Sequence, residues 1–242
     1  MNDVGWQEIT SQIEAACAKA GLDLVHPFQV GRYNAAAAAA DRLDERLDDL
    51  GRTDALGILI GNTRNLWPAF THAFHTDALL ASGGNPLDTY VKTSLTRLLA
   101  EATTCSTRVV FSHVTAPRAF PIQRLAESVG LAAISPSHLA IHPLHGPWFA
   151  LRAVVVVDVA GPAASPPELE RPCRGCSAPC MPALERALAA SGSPLSSAAV
   201  ALHAAEWIAV RDACPVGPGS RYGAAQLAYH YAPARSRIRP ET

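Results

Sequence analysis

Cys173-Arg174-Gly175-Cys176-Ser177-Ala178-Pro179-Cys180 sets three thiols at C-x2-C-x3-C spacing, and Cys214-Pro215 can bring a fourth from a turn after a long helix. Four soft ligands suit zinc or an iron–sulfur cluster. The C-x2-C-x2-C-x3-C-P run of bacterial ferredoxins is not met, so reduced or redox-active thiols are the favoured alternative. A second stretch carries charge into an apolar strand. From Gly146-Pro147 the chain enters Trp148 to Val157 with strict period two, which puts Trp148, Ala150, Arg152, Val154 and Val156 on one face. A guanidinium in that row needs an anion or several acceptors, because an unpaired buried charge costs several kcal/mol, roughly. A structural ion pair to a core carboxylate is the plain alternative.

Other chemistries lack their residues. No Gly-x-Gly-x-x-Gly follows a strand and no Gly-rich loop ends in Lys-Ser or Lys-Thr, so the common dinucleotide and phosphate cradles are missing. His72 and His75 share a helix face without a nearby carboxylate, which favours two surface histidines over a metal pair. Ser135-Pro136-Ser137 lacks the sharp strand-to-helix setting of a serine nucleophile. With 20 Lys+Arg against 21 Asp+Glu the net charge is −1, and no basic run is interleaved with aromatics, which argues against a nucleic-acid surface. No leader pattern and no bilayer-length apolar run is found, so no membrane partner is expected and the cytoplasm is the expected location. Lys19 and Lys92 are the sole lysines; Arg suits planar anion recognition, although a GC-rich genome explains the same bias more simply.

The elements that must position these residues follow from periodicity. Trp6, Ile9, Ile13 and Cys17 mark a helix stopped by Gly21, and 22–25 is a candidate strand. Residues 26–34 have the composition of a loop, with Asn34 capping an alanine-rich helix that runs to Gly51. A buried strand is expected over 56–61, a helix from Leu66 to Leu79, and another from Pro86 to about Ala100. Residues 108–111 form a strand and 121–130 a short helix, and 131–143 is expected to pair with the Trp148 strand as an antiparallel hairpin. Beyond the Gly161-Pro162 loop, helices are expected over 182–190, 196–212 and 222–231. This irregular alternation around an antiparallel hairpin predicts an α+β fold. At 242 residues with 49% hydrophobic content, the chain can bury one sizeable core.

In order, these segments resemble the CblC family of cobalamin-processing proteins over most of the chain. The shared marks are Pro27-Phe28-Gln29-Val30 with Tyr33-Asn34, Asn85-Pro86-Leu87-Asp88, Ile141-His142-Pro143 with Gly146, and Trp148-Phe149-Ala150 with Arg152. They continue in Trp207, Arg211-Asp212-Ala213, Arg221-Tyr222, Gln226, Ala228-Tyr229 and Pro233. The resemblance implies a flavin-reductase or nitroreductase-like fold, with a central antiparallel sheet flanked by helices. Residues 1–160 would form the core with a cobalamin cavity, and residues 161–242 a cysteine-bearing loop and helices completing the site within one structural domain. It implies removal of the upper axial ligand of cobalamin: cyanide reductively, with reduced FMN or FAD or a thiol, and alkyl groups by glutathione or another low-molecular-weight thiol.

By the same resemblance Arg152 and Arg211 hold the thiol's carboxylates, joined by Arg235 or Arg237, since gapless counting from Tyr229 selects Arg237 and the Pro-Ala-Arg pattern selects Arg235. Ser137, His138, Leu139, Trp148 and Tyr222 match cobalamin-facing positions, and a homodimer stays open. Two departures stand out. The segment from Gly130 to Ser137 lacks the tyrosine-rich lining of animal members, which leaves a non-catalytic cobalamin carrier as an alternative. Cys173, Cys176, Cys180 and Cys214, together with the segment from Leu125 to Leu131, are similar to corrinoid-dependent epoxyqueuosine reductases, which contain iron–sulfur centres. The cysteine spacing does not fit their two-cluster domain.

Overall fold

A computed structural model describes residues 5–116, 118–165, 168–169 and 171–231. Its centre is a four-stranded sheet in the order β1-β2-β6-β3, from β1 (Leu24–Gln29), β2 (Ala55–Asn62), β3 (Thr107–Phe111) and β6 (Ala150–Ala160), with every neighbouring pair antiparallel. A separate short ladder joins β4 (Ala133–Ile134) to β5 (Ala140–Ile141). The α+β class with a central antiparallel sheet flanked by helices is therefore observed, in an architecture consistent with flavin reductases and nitroreductases.

Both sheet faces are covered, which is why β2 is apolar along nearly its whole length and buried at every position. On one face Leu56, Ile58, Ile60, Ala153, Val155 and Val157 pack with residues of α1 (Trp6–Lys19), α3 (Leu66–Thr76) and α5 (Pro86–Ala102). On the other, Leu59, Val154 and Val156 meet Tyr33 of α2 (Val30–Ala39) and Leu125 of α6 (Ile122–Ser128). Between α3 and α5 lies α4 (Ala78–Ser82). The last quarter adds α7 (Cys180–Ser191), α8 (Ser197–Leu202), α9 (Ala204–Asp212) and α10 (Ala224–Tyr231). Of these, α7 and α9 share a small core of Cys180, Ala183, Ala187 and Val210, with Leu139 packed against it.

Several local expectations are corrected. Residues 26–34 are not a loop: β1 continues through Gln29 and α2 begins at Val30, so Asn34 lies inside the helix. Its buried amide accepts from the Leu47 N–H at 2.8 Å and donates to the Leu47 carbonyl at 3.0 Å, completing a strand-like pairing that a surface cap does not need. That helix ends at Ala39, with a 3-10 turn over Leu43–Glu45 in place of a continuous run to Gly51. The helix expected from Leu66 to Leu79 breaks at Asp77, whose carboxylate accepts the Leu79 and Leu80 N–H groups and starts α4. The run from 196 to 212 likewise breaks at His203.

The expected hairpin between 131–143 and the Trp148 strand is also wrong. Residues 133–134 pair with 140–141, while β6 takes the central place between β2 and β3. The strand after Trp148 is apolar on both faces, so periodicity could not choose its neighbours.

Candidate functional site

Arg152 owes its position to a fault in the ladder. Ile60 pairs with Ala153 and Gly61 with Leu151, so Arg152 has no partner on β2 and forms the extra residue of a β-bulge. The expected sharing of a face with Val154 and Val156 is corrected by this slip. Those valines belong to the core beneath α2 and α6, whereas Arg152 lines a recess with Asn85, Pro86, Leu87, Asp88 and Tyr229 at the ends of α5 and α10. Gly61 permits the close approach, since a Cβ there would lie 2.6 Å from the Ala150 carbonyl oxygen.

The guanidinium is only partly satisfied. Arg152 Nε donates to Oδ1 of the fully buried Asn62 at 2.6 Å, while Arg152 Nη2 is sealed from solvent and has no partner among the described residues. Burial pushes the Arg152 pKa down from its ordinary value, and Tyr222, Asp88 and Tyr229 oppose that shift. Tyr222 is 4% exposed, and its hydroxyl also lacks a partner among the described residues. Burial raises the Tyr222 pKa, while the charges of Arg152 and Arg211 pull it the other way, so the phenol lies within the field of both arginines. Among the described residues neither arginine forms an ion pair with a carboxylate.

Arg211, near the end of α9, donates from Nη1 to the Pro147 carbonyl at 3.2 Å. It also lies 5.6 Å from the Trp148 ring centroid. On the same indole, Arg221 sits at 5.5 Å, tied to Asp212 by two bonds of 2.6 and 2.9 Å. Trp148 is 1% exposed and stacks edge-on with Tyr222 at 5.6 Å between centroids. The indole thus acts as a buried platform for two guanidinium groups.

The five residues matched to cobalamin do not line one cavity. Trp148 and Tyr222 are interior, and 135–139 forms a tight turn between β4 and β5 rather than a strand. There the His138 N–H bonds the Ser135 carbonyl at 2.9 Å, and exposed His138 takes a left-handed φ of 60°. Leu139 is the link between two regions: it lines a cleft of about 530 Å³, open mouth included, with Ala140, Pro147, Leu151 and Arg211, and it also lines a second hollow. That second hollow, about 430 Å³ with its mouth, brings Cys173, Cys176, Cys180 and Cys214 together with Ser135 and Ser137.

All four cysteines are free, and burial together with the neighbouring thiols raises the pKa values of Cys173 and Cys214. Among the described residues no three His, Cys, Asp or Glu side chains are grouped so as to hold a metal ion. Two backbones fasten this corner. His142 and Gly146 exchange bonds of 2.9 and 2.8 Å, and a Cβ on Gly146 would meet the Val216 carbonyl oxygen at 1.9 Å. A Cβ on Gly217 would meet the carbonyl carbon of His145 at 2.3 Å, so the 142–146 turn and the loop after Cys214 are in backbone contact. His142 Nδ1 accepts the Leu144 and His145 N–H groups at 3.1 and 3.4 Å. Burial and the neighbouring His145 and His26 push its pKa down to about 4.

Sequence reasoning missed Asn62 as the group that orients Arg152; its signal is a single amide closing an otherwise apolar strand. It also missed the largest cavity described here, about 990 Å³ with its mouth, lined by His26, Phe28, Gln29, Arg32 and Tyr33. Arg235 and Arg237 lie outside the described residues.

The fold is α+β, a central antiparallel sheet flanked by helices. No family model matches the sequence, and no curated protein matches it. Among solved structures, the C. elegans B12-trafficking protein CblC, a homologue of human MMACHC, superposes with a TM-score of 0.66 at 18% identity. The match covers 96% of this chain and 93% of that one, and the likeness at this identity is one of fold. Among the described residues no helix is long and apolar enough to cross a membrane.

Proposed function

We propose that the chain binds cobalamin as substrate and removes its upper axial ligand, by reductive decyanation of cyanocobalamin or thiol-dependent dealkylation of alkylcobalamins. The observation that carries this reading is the pair Arg152 and Arg211, linked through the buried Trp148 and Tyr222 rings, with an Arg152 N–H that has no partner among the described residues. Such a group demands an anion. Arginine pairs a carboxylate through two parallel bonds, and glutathione or another small thiol brings carboxylates to that fork while its sulfur stays free.

In dealkylation the thiolate sulfur forms a bond to the alkyl carbon as the cobalt–carbon bond breaks, and the bonding pair stays on cobalt. The thioether leaves as product. In decyanation one electron, from the thiol or a reduced FMN or FAD, enters cobalt as cyanide departs. The protein's own contribution is positioning: fixing the thiol in a water-poor site raises the effective concentration of its sulfur. Leu139 and Arg211 line one cleft, which supports a corrin-facing role for 137–139 beside the thiol. Trp148 and Tyr222 in this reading hold the arginines rather than touch the corrin.

Visible spectroscopy of the protein with cyanocobalamin or methylcobalamin, each with and without glutathione, tests the proposal. Conversion of either spectrum that requires both protein and thiol is expected. Binding with an unchanging cobalt ligand would assign a carrier instead, and absence of any spectral change on mixing would remove cobalamin from the account.

A further inference from the structure

We infer that the four-cysteine hollow is a binding site for an iron–sulfur cluster. Cys173, Cys176 and Cys180 come from one loop, and Cys214 follows α9, yet all four thiols line the same cavity. A 34-residue separation between Cys180 and Cys214 closed onto one small hollow is not a by-product of local spacing. The rest of the wall is Leu139, Ile141, Val210, Val216 and five further apolar residues, with only the hydroxyls of Ser135 and Ser137 as other polar side chains. No histidine or carboxylate lines it, so the donor set is sulfur alone, the choice that selects soft metals and iron–sulfur clusters.

The arrangement also discriminates between the two soft guests. One zinc ion draws four sulfurs to about 2.3 Å from a single point. Here the thiols surround a hollow, and among the described residues no three of them group around such a point. A cluster interposes its own iron and sulfide atoms between the cysteines, so it bridges thiols that no single ion gathers. The backbone is shaped accordingly: Gly175 and Ala178 take left-handed φ of 77° and 53° inside the loop. For alanine this conformation costs about 1–2 kcal/mol, and strain of this kind persists where surrounding structure has a use for it.

The cluster's presence does not depend on cobalamin. Its position relative to the corrin rests on the function proposed above, because Ser137 and Leu139 are shared by the hollow and the corrin-facing turn.

The test uses the full chain, purified anaerobically and reconstituted with ferrous iron and sulfide, with cobalamin omitted throughout. About two to four irons per chain are expected, with acid-labile sulfide alongside and a visible charge-transfer band that dithionite bleaches. Cys176→Ser and Cys214→Ser should each lower bound iron at least tenfold, while Cys105→Ser, outside the hollow, retains it; circular dichroism identifies any variant that fails to fold. A colourless, iron-free wild type after reconstitution, zinc in place of iron, or folded Cys176 and Cys214 variants with unchanged iron would each overturn the inference. A loaded cluster with no cobalamin conversion would count against the proposed function and leave this site standing.

Discussion

Two charges packed against the sheet, the buried Glu45 and the half-buried Arg152, are treated in opposite ways. Glu45, 2% exposed beneath α2, is held by Arg124 and by Arg42 at 3.7 Å, so its carboxylate is met from two sides. Arg152, on the face toward α5 and α10, has one amide acceptor and a sealed N–H that meets no partner among the described residues. The first charge belongs to folding, since its partners are built in. Under the proposed function the second meets a partner from outside, and the Tyr222 hydroxyl is likewise without a partner among the described residues.

That contrast can be broken most directly by Arg152→Met. Losing one side of a buried, hydrogen-bonded charge pair with the thiol should cost about 2 kcal/mol or more, which is at least ~30-fold in the thiol-dependent rate. Stability in urea should change little, because an apolar chain replaces a charge that was poorly compensated in the free protein. A large loss of stability with an unchanged rate would make Arg152 structural. The converse is expected of Arg124→Met. It strips a buried carboxylate of a partner, so the denaturant midpoint should fall by the equivalent of about 2 kcal/mol while thiol dependence survives.

Acid should act on stability through the 142–146 turn. His142 is neutral in the fold down to pH about 4, whereas the unfolded chain takes up its proton near pH 6.5. Between those values the unfolded state binds more protons, so stability falls as pH falls through that window, by at most about 1.4 kcal/mol per unit from this group. Thermal melts of His142→Asn, which keeps an acceptor for the Leu144 and His145 N–H groups, should show a shallower slope over the same range. Smallest of all, Tyr222→Phe removes a hydroxyl that has no partner among the described residues. It should leave the melting temperature nearly unchanged and weaken thiol binding by about 1 kcal/mol, or roughly fivefold, in a titration.

Much of the architecture was legible because the cores are apolar and periodic. Helices α1 and α5 and strand β2 stand where their spacing, the Gly21 stop and the Pro86 start put them. What failed was pairing and local register. A strand buried on both faces does not announce its neighbours, so β6 was given the wrong partner, and one extra residue opposite Gly61 moved Arg152 to the other face without any trace in the alternation. The candidate site divides along the same line. The thiols line one hollow, Arg152 and Arg211 both act on Tyr222, and that phenol and Trp148 are buried. Asn62 could be found only once the bulge was known.

The abutting backbones at Gly146 and Gly217 have a consequence for how the chain tolerates change. These positions are 71 residues apart, and with no room for even a methyl group between them the two loops can meet in essentially one alignment. Lengthening either by a single residue would shift Cys214 and Arg211 together, because both precede the same junction. The cysteine hollow and the arginine cleft are therefore linked like two doors on one hinge pin, and evolution or engineering can retune neither in isolation.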